Sequence, residues 1–200
     1  MAVPTEIQRE PEDAQLWPEE MKNQVNPIVW AAGRPGRAKP TSPIRVDLKP
    51  GAGIPSKKQY PLRKEALEGI PPIIQKLQEY GLIPPCRSPY NTPILPIRKP
   101  HSNEYRFVQD LRAISDIVQD IHPTVPNPYT LVNSRGWDSL WCSVPDLKDA
   151  FFCVPVDQDS QPLFAFEWQD PESQVKTQHC WVVLPQGFKN SPSILGETLS

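Results

Sequence analysis

The sequence predicts an α+β fold, and three observations carry that reading. Residues 60–81 place apolar side chains at helical spacing. Two pairs of stretches, 94–99 with 104–111 and 163–168 with 179–185, read as antiparallel hairpins punctuated by turn-forming residues. Proline is 27 of 200 residues, well above the usual ~5%. That argues against long uninterrupted helices and favours short elements joined by extended chain.

Taken in order, residues 1–27 are acidic and aperiodic and read as a flexible linker. Residues 31–59 are rich in Gly, Pro and Lys, with one short alternating stretch, "IRVDLK", as an isolated strand on a flexible basic segment. In "YPLRKEALEGIPPIIQKLQEYG", Pro61 suits a first helical turn, Leu67, Ile70, Ile74 and Leu77 form the stripe, and Gly81 suits the residue after the helix. Gly69 and Pro71-Pro72 predict a kink or a split into two short helices. "IPPCRSPYNTPILPIRKP" is an extended crossing that ends in the first hairpin strand, with "PHSN" as the turn. "LRAISDIVQDI" is a short helix or irregular turn, and "IHPTVPNPYTLV" is extended again. "LWCSV" is a strand, "DLKDAFF" turns into a short helix, and "QDPESQVKT" closes the second hairpin. "SPSILGETLS" opens a helix with Ser191 as N-cap and Pro192 at the first position.

Charge is unevenly spread. Residues 31–100 carry 13 basic and 4 acidic side chains, and residues 101–200 carry 6 basic and 13 acidic. A polyanion-binding lobe beside a cation-binding lobe is one reading; two solvated surfaces are the other. Cys86, Cys142, Cys153 and Cys180 form no C-x-x-C pair, and the three histidines lack zinc spacing. These are expected to be free thiols in a reducing, cytoplasmic setting. No apolar stretch reaches membrane-spanning length, and the N-terminus has no signal-peptide core.

Three motifs bear on chemistry. In "DLKD", Asp146 and Asp149 suit either a helix start or a metal-binding carboxylate at a strand end. In "LPQGFKNSP", Gly187 marks a sharp turn before a helix, either an ordinary strand-turn-helix connection or a helix N-terminus able to face an anion. In "RKPHSNEYR", Lys99 and Arg106 face each other across a hairpin, as solvated charges or as phosphate ligands.

In this order and spacing, the stretches "QYPLRKEALEGIPPIIQKLQEYGLIPPCRSPYNTPILPIRKP", "YRFVQDLR", "IHPTVPNPYTLV", "DLKDAFFCVPVDQDSQPLFAFEW" and "LPQGFKNSP" closely resemble retroviral reverse transcriptases, in particular gammaretrovirus-like and class I endogenous retroviral Pol proteins. The resemblance implies a right-hand polymerase fold. Residues 28–140 would be fingers, and 141–200 part of a palm with an antiparallel sheet and packed helices. It implies two Mg²⁺ ions, with Mn²⁺ an alternative, a template-primer of RNA or DNA, and a deoxynucleoside triphosphate. By the same likeness Asp146 is the first catalytic aspartate and a metal ligand, with the Leu147 carbonyl beside it. Lys99, Arg106, Asp149, Ala150, Phe151 and Gln186 would bind the nucleotide, Phe151 as an aromatic gate under the sugar. Asn91, Arg112 and Gly187 would lie near the template.

Two departures temper those expectations. The family's Tyr-x-Asp-Asp hairpin, with its other two catalytic aspartates, is not in this sequence, which predicts an incomplete catalytic site. Pro145 stands where the resemblance expects an aliphatic residue in a central strand; a lost ladder bond and a misfit there together cost about 3 kcal/mol. The expectation is a polymerase fragment inactive alone, with a non-catalytic remnant that binds nucleic acid weakly, or a proline-rich interaction module, as alternatives.

Overall fold

The computed structural model describes residues 23, 24, 26, 33–38, 42–102, 104–122 and 146–199. Contacts divide the chain into Met1–Ala32 and Gly33–Ser200, and the elements that follow belong to the second unit. The strand expected at "LWCSV", Pro145, Cys142, most of "IHPTVPNPYTLV" and nearly all of the 1–27 linker lie outside the described residues.

Helices α1 (Lys64–Gly69) and α2 (Pro71–Glu79) are the expected split pair. The prolines occupy the first turn of α2, where an amide would have no intrahelical partner. Helix α1 begins at Lys64, so Pro61 lies ahead of it rather than in its first turn. The end of α2 is a Schellman closure. Gly81 has φ +70° and donates to the Gln78 carbonyl at 2.8 Å, and Leu82 donates to Leu77 at 2.9 Å. Leu77 and Leu82 are both buried, which supplies the accompanying apolar contact. Ile70, Ile74 and Leu77 form the buried stripe, and Leu67 is half-buried.

Strands β1 (Ile94–Arg98) and β2 (Tyr105–Gln109) pair antiparallel, with Ile97 opposite Arg106 and Ile94 opposite Gln109. Pro96 is accommodated because β1 pairs on one side only. Helix α3 (Arg112–Ile117) follows. The "IRVDLK" segment is stitched into the unit by single bridges, Ile44 to Val156 and Leu48 to Val118, and by Ser160 Oγ accepting from the Val46 amide at 2.9 Å. It is extended chain held between other elements, not an isolated strand.

The second hairpin joins β3 (Ala165–Gln169) to β4 (Lys176–Cys180). The partner expected at 179–185 therefore begins three residues earlier and takes residues assigned to the loop. The apolar run after β4 has other partners. Val182 donates to Leu82 at 3.1 Å, Leu184 donates to Val154 at 3.0 Å, and Pro155 bridges Val183. Short 3₁₀ turns cover Ala150–Cys153 and Gln161–Phe164. Helix α4 (Ser191–Leu199) includes Ser191 itself. The Ser191 hydroxyl donates to the Pro185 carbonyl at 3.0 Å, so the expected N-cap is one residue late. The Asn190 carbonyl takes the first helical bond, from Ile194 at 3.0 Å.

The core is aliphatic and aromatic, centred on Ile70, Ile83, Ile94, Ile114, Phe164, Phe166 and Leu184. Gly69 lets the β1–β2 hairpin approach α1, because a Cβ there would lie 2.4 Å from Tyr105 Cδ2. Alanine normally gains up to ~1 kcal/mol over glycine in a helix. Here the forced ring displacement outweighs it, since overpacking costs about 1–3 kcal/mol. Gly69→Ala should therefore lower the urea midpoint; a raised midpoint would show that Tyr105 yields freely.

Candidate functional site

A cleft of about 690 Å³ opens between α2, the β1–β2 hairpin and the 148–153 turn. Its floor is aromatic. Trp181 stacks on Phe152 with centroids 5.2 Å apart and meets Phe107 edge-on at 5.8 Å. Among the described residues its walls carry Lys76, Lys99, Arg106 and Lys148 and one carboxylate, Asp149, with Gln186 at the margin. Cationic side chains around a stacking floor suit a polyanionic ligand with an aromatic or sugar portion.

The hairpin sets the cation geometry. The Lys99 amide donates to the Glu104 carbonyl at 2.9 Å, and its ammonium pairs with the Glu104 carboxylate. The Lys99 contact holds the fully exposed Glu104 carboxyl below its ordinary value. Arg106 is exposed and engages no carboxylate among the described residues, leaving its guanidinium available. Lys76 lies 5.7 Å from the centroid of the Tyr80 ring.

Asp149 precedes the Ala150–Cys153 turn with φ 53° and makes no side-chain cap bond; its carbonyl accepts from Phe152 at 2.9 Å. The helix start in which Asp146 caps and Asp149 stands at the third position is therefore not formed. Asp146 and Leu147 are exposed on the approach to this turn and do not line the cleft. Ala150 and Phe151 are half-buried, and Phe151 packs against the core while Phe152 faces the cleft.

Among the described residues no three His, Cys, Asp or Glu side chains converge as a cation site. Asp146 offers one exposed carboxylate, and the described residues alone do not make up a two-metal centre.

The three residues expected near a template lie outside the cleft lining. Asn91 is buried: its Nδ2 donates to the Lys57 carbonyl at 2.7 Å, while its Oδ1 has no partner. Gly187, at φ +88°, turns beside the Gln109 carbonyl, 3.7 Å from where a Cβ would stand. Arg112 reaches back to Asp110, Nε to Oδ1 at 2.8 Å and Nη2 to Oδ2 at 2.7 Å. Its own side chain is 80% exposed while that of Asp110 is 2% exposed. The guanidinium holds the Asp110 carboxyl below its usual range, against the opposing effect of burial.

Sequence reasoning missed Asp110, Gln109, Lys76, Lys148 and Phe152. Lys148 sits inside the "DLKD" motif, and that was its only signal. Gln109 and Asp110 read as the polar end of a strand. Gln109 is buried, with its Oε1 accepting from Trp181 Nε1 at 2.8 Å and its Nε2 donating to Thr92 Oγ1 at 2.7 Å.

The reverse transcriptase (RNA-dependent DNA polymerase) family profile matches residues 97–199. The chain is 56% identical over 178 residues to the Gag-Pol polyprotein of Gibbon ape leukemia virus, covering 88% of this chain and 10% of that protein. It is 54% identical over 178 residues to the Gag-Pol polyprotein of Koala retrovirus, with the same coverage. It is 54% identical over 174 residues to the Pol polyprotein of Feline endogenous virus ECE1, covering 86% of this chain and 17% of that protein. The fold is an α+β unit with a cation-lined cleft, and the chain belongs to the reverse transcriptase family. It spans about a tenth to a sixth of the length of these curated relatives. Among the described residues no helix is long and apolar enough to cross a membrane.

The Asp110–Arg112 pair has a signed pH consequence. Because the folded Asp110 value is depressed, its stabilisation is present above the ordinary aspartate value of 3.8 and is lost as pH falls through the folded one. Asp110→Asn should be less stable than wild type at pH 7, with the gap narrowing below pH 3.8. Urea melts across that range would contradict this if the gap stayed constant.

Proposed function

We propose that the cleft receives the incoming deoxynucleoside triphosphate of an RNA-directed DNA polymerase, with residues 28–140 as fingers and 141–200 as part of the palm. One observation carries the reading: Lys99, Arg106, Asp149 and Gln186, four of the residues singled out for nucleotide contact, line a single cleft. The floor of Phe107, Phe152 and Trp181 offers the base or sugar an apolar surface.

In this reading Arg106 grips phosphate oxygens bidentately, and Lys99 exchanges Glu104 for phosphate. Such an exchange is cheap, because an exposed ion pair stabilises by only about 0–1 kcal/mol. Asp149 presents backbone beneath the triphosphate with Ala150 behind it, Gln186 contacts the nucleotide at the cleft margin, and the aromatic surface open to the sugar is Phe152, since Phe151 packs against the core. Asn91, Arg112 and Gly187 form the template side. Asp146, with the Leu147 carbonyl, supplies one carboxylate toward a divalent cation of the Mg²⁺ or Mn²⁺ type, whose role would be to stabilise the attacking and leaving oxygens. The remaining donors of such a centre are not among the described residues.

The test is calorimetric titration of a deoxynucleoside triphosphate onto the chain bound to an RNA template with a DNA primer. Each charge-assisted bond contributes about 1.5–3 kcal/mol. Lys99→Ala and Arg106→Ala should each weaken binding by roughly tenfold or more. Unchanged affinity in both variants would refute the assignment.

A further inference from the structure

The segment Gly33–Ala38, "GRPGRA", runs between the two walls of the cleft. At one end the Tyr80 hydroxyl donates to the Gly33 carbonyl, and Arg34 Nη2 donates to the Tyr80 carbonyl at 3.2 Å. Tyr80 caps α2, the helix that supplies Lys76 and Leu77 to the cleft. At the other end the Ala38 amide donates to the Cys153 carbonyl at 2.8 Å. Cys153 ends the 3₁₀ turn that follows Asp149 and carries Phe152. Between these tethers Pro35 forms part of the cleft lining beside Tyr80, Leu82 and Phe152.

The segment also has space behind it. A second cavity of about 640 Å³ is lined by Pro35, Gly36, Arg37, Phe152, Cys153 and Val182, among others. With open volume on both sides, the bonds that hold it among the described residues are those at its two ends. A strap fastened to both walls limits how far they separate. The separation in turn decides whether cations on the α2 and hairpin side and the Asp149 turn can engage one ligand together.

We propose that residues 33–38 are a tie across the nucleotide cleft and that Tyr80 is the positioning residue that fastens it, so that nucleotide affinity depends on the Tyr80 hydroxyl and on the Ala38 amide. This rests on the nucleotide reading of the cleft. The Tyr80 ring belongs to the cleft wall, whereas Ala38 does not line it. A dependence on both positions therefore marks the strap rather than direct contact of a phenol with the ligand.

The experiment uses wild type, Tyr80→Phe, Ala38→Pro and Arg106→Ala on the same RNA-template and DNA-primer complex. Affinity for a deoxynucleoside triphosphate is measured by calorimetry, trypsin cleavage after Arg37 is followed over time, and melting temperature is recorded. Tyr80→Phe and Ala38→Pro should each weaken nucleotide binding by roughly three- to tenfold, the worth of one hydrogen bond. Tyr80→Phe should also speed cleavage after Arg37, with its melting temperature near wild type. Nucleotide should slow that cleavage in wild type. If both variants bind nucleotide as wild type does while Arg106→Ala does not, the cleft reading stands and the tie is wrong. If wild type itself shows no nucleotide binding, the cleft reading falls and takes the tie with it.

Discussion

The carboxamide of Gln109 is the joint on which both hairpins depend. It lies at the end of β2 and is buried. Its Nε2 donates to Thr92 Oγ1 at 2.7 Å and shares itself between the Phe164 and Ala165 carbonyls at 3.3 and 3.2 Å. Its Oε1 accepts from the Trp181 indole at 2.8 Å. The two hairpins form separate two-stranded sheets, and isolated hairpins are marginal in water. Gln109 links β2, the chain entering β1, the start of β3 and the residue after β4. It also holds the indole that floors the cleft, so the same bonds serve the fold and the site.

This device answers a constraint imposed by composition. A chain with 27 prolines lacks 27 backbone donors, and its extended segments present carbonyls and amides without a regular ladder. Side-chain amides take over. Gln59 accepts from the Ile94 amide at 2.7 Å and donates to its carbonyl at 3.0 Å. Gln178 accepts from the Ser88 amide at 2.7 Å and donates to the Tyr90 carbonyl at 2.9 Å. Gln161 donates to the Val156 carbonyl at 2.9 Å. Each glutamine imitates one rung of a strand where no strand is available.

That explains which parts of the molecule the sequence disclosed. The helix pair at 64–79 and the first hairpin follow from local rules, namely apolar spacing, proline in a first turn and a glycine after the helix. The β3–β4 register was read too late in the chain because "HCWVVLP" is the most apolar run. Only its first two residues, His179 and Cys180, pair with β3, and beyond them the backbone bonds to Leu82 and Val154. Gln109 was invisible for a related reason. Its partners lie 17, 55, 56 and 72 residues away, and nothing local distinguishes it from a polar strand end. Family likeness singles out Lys99, Arg106, Asp149 and Gln186 together, and all four line the cleft. Lys76 and Lys148 acquire meaning only once the fold encloses a cleft, and "GRPGRA" has the composition of a linker.

The central claim is that the Gln109 amide bonds, rather than apolar burial alone, join the hairpins. Its most direct test is equilibrium urea unfolding of Gln109→Leu, which keeps an apolar side chain in place but leaves Trp181 Nε1 and Thr92 Oγ1 without this partner. Unpaired buried polar groups cost about 1–3 kcal/mol each. The account predicts a loss of about 2–4 kcal/mol; a change below about 0.5 kcal/mol, the size of an ordinary surface substitution, would contradict it.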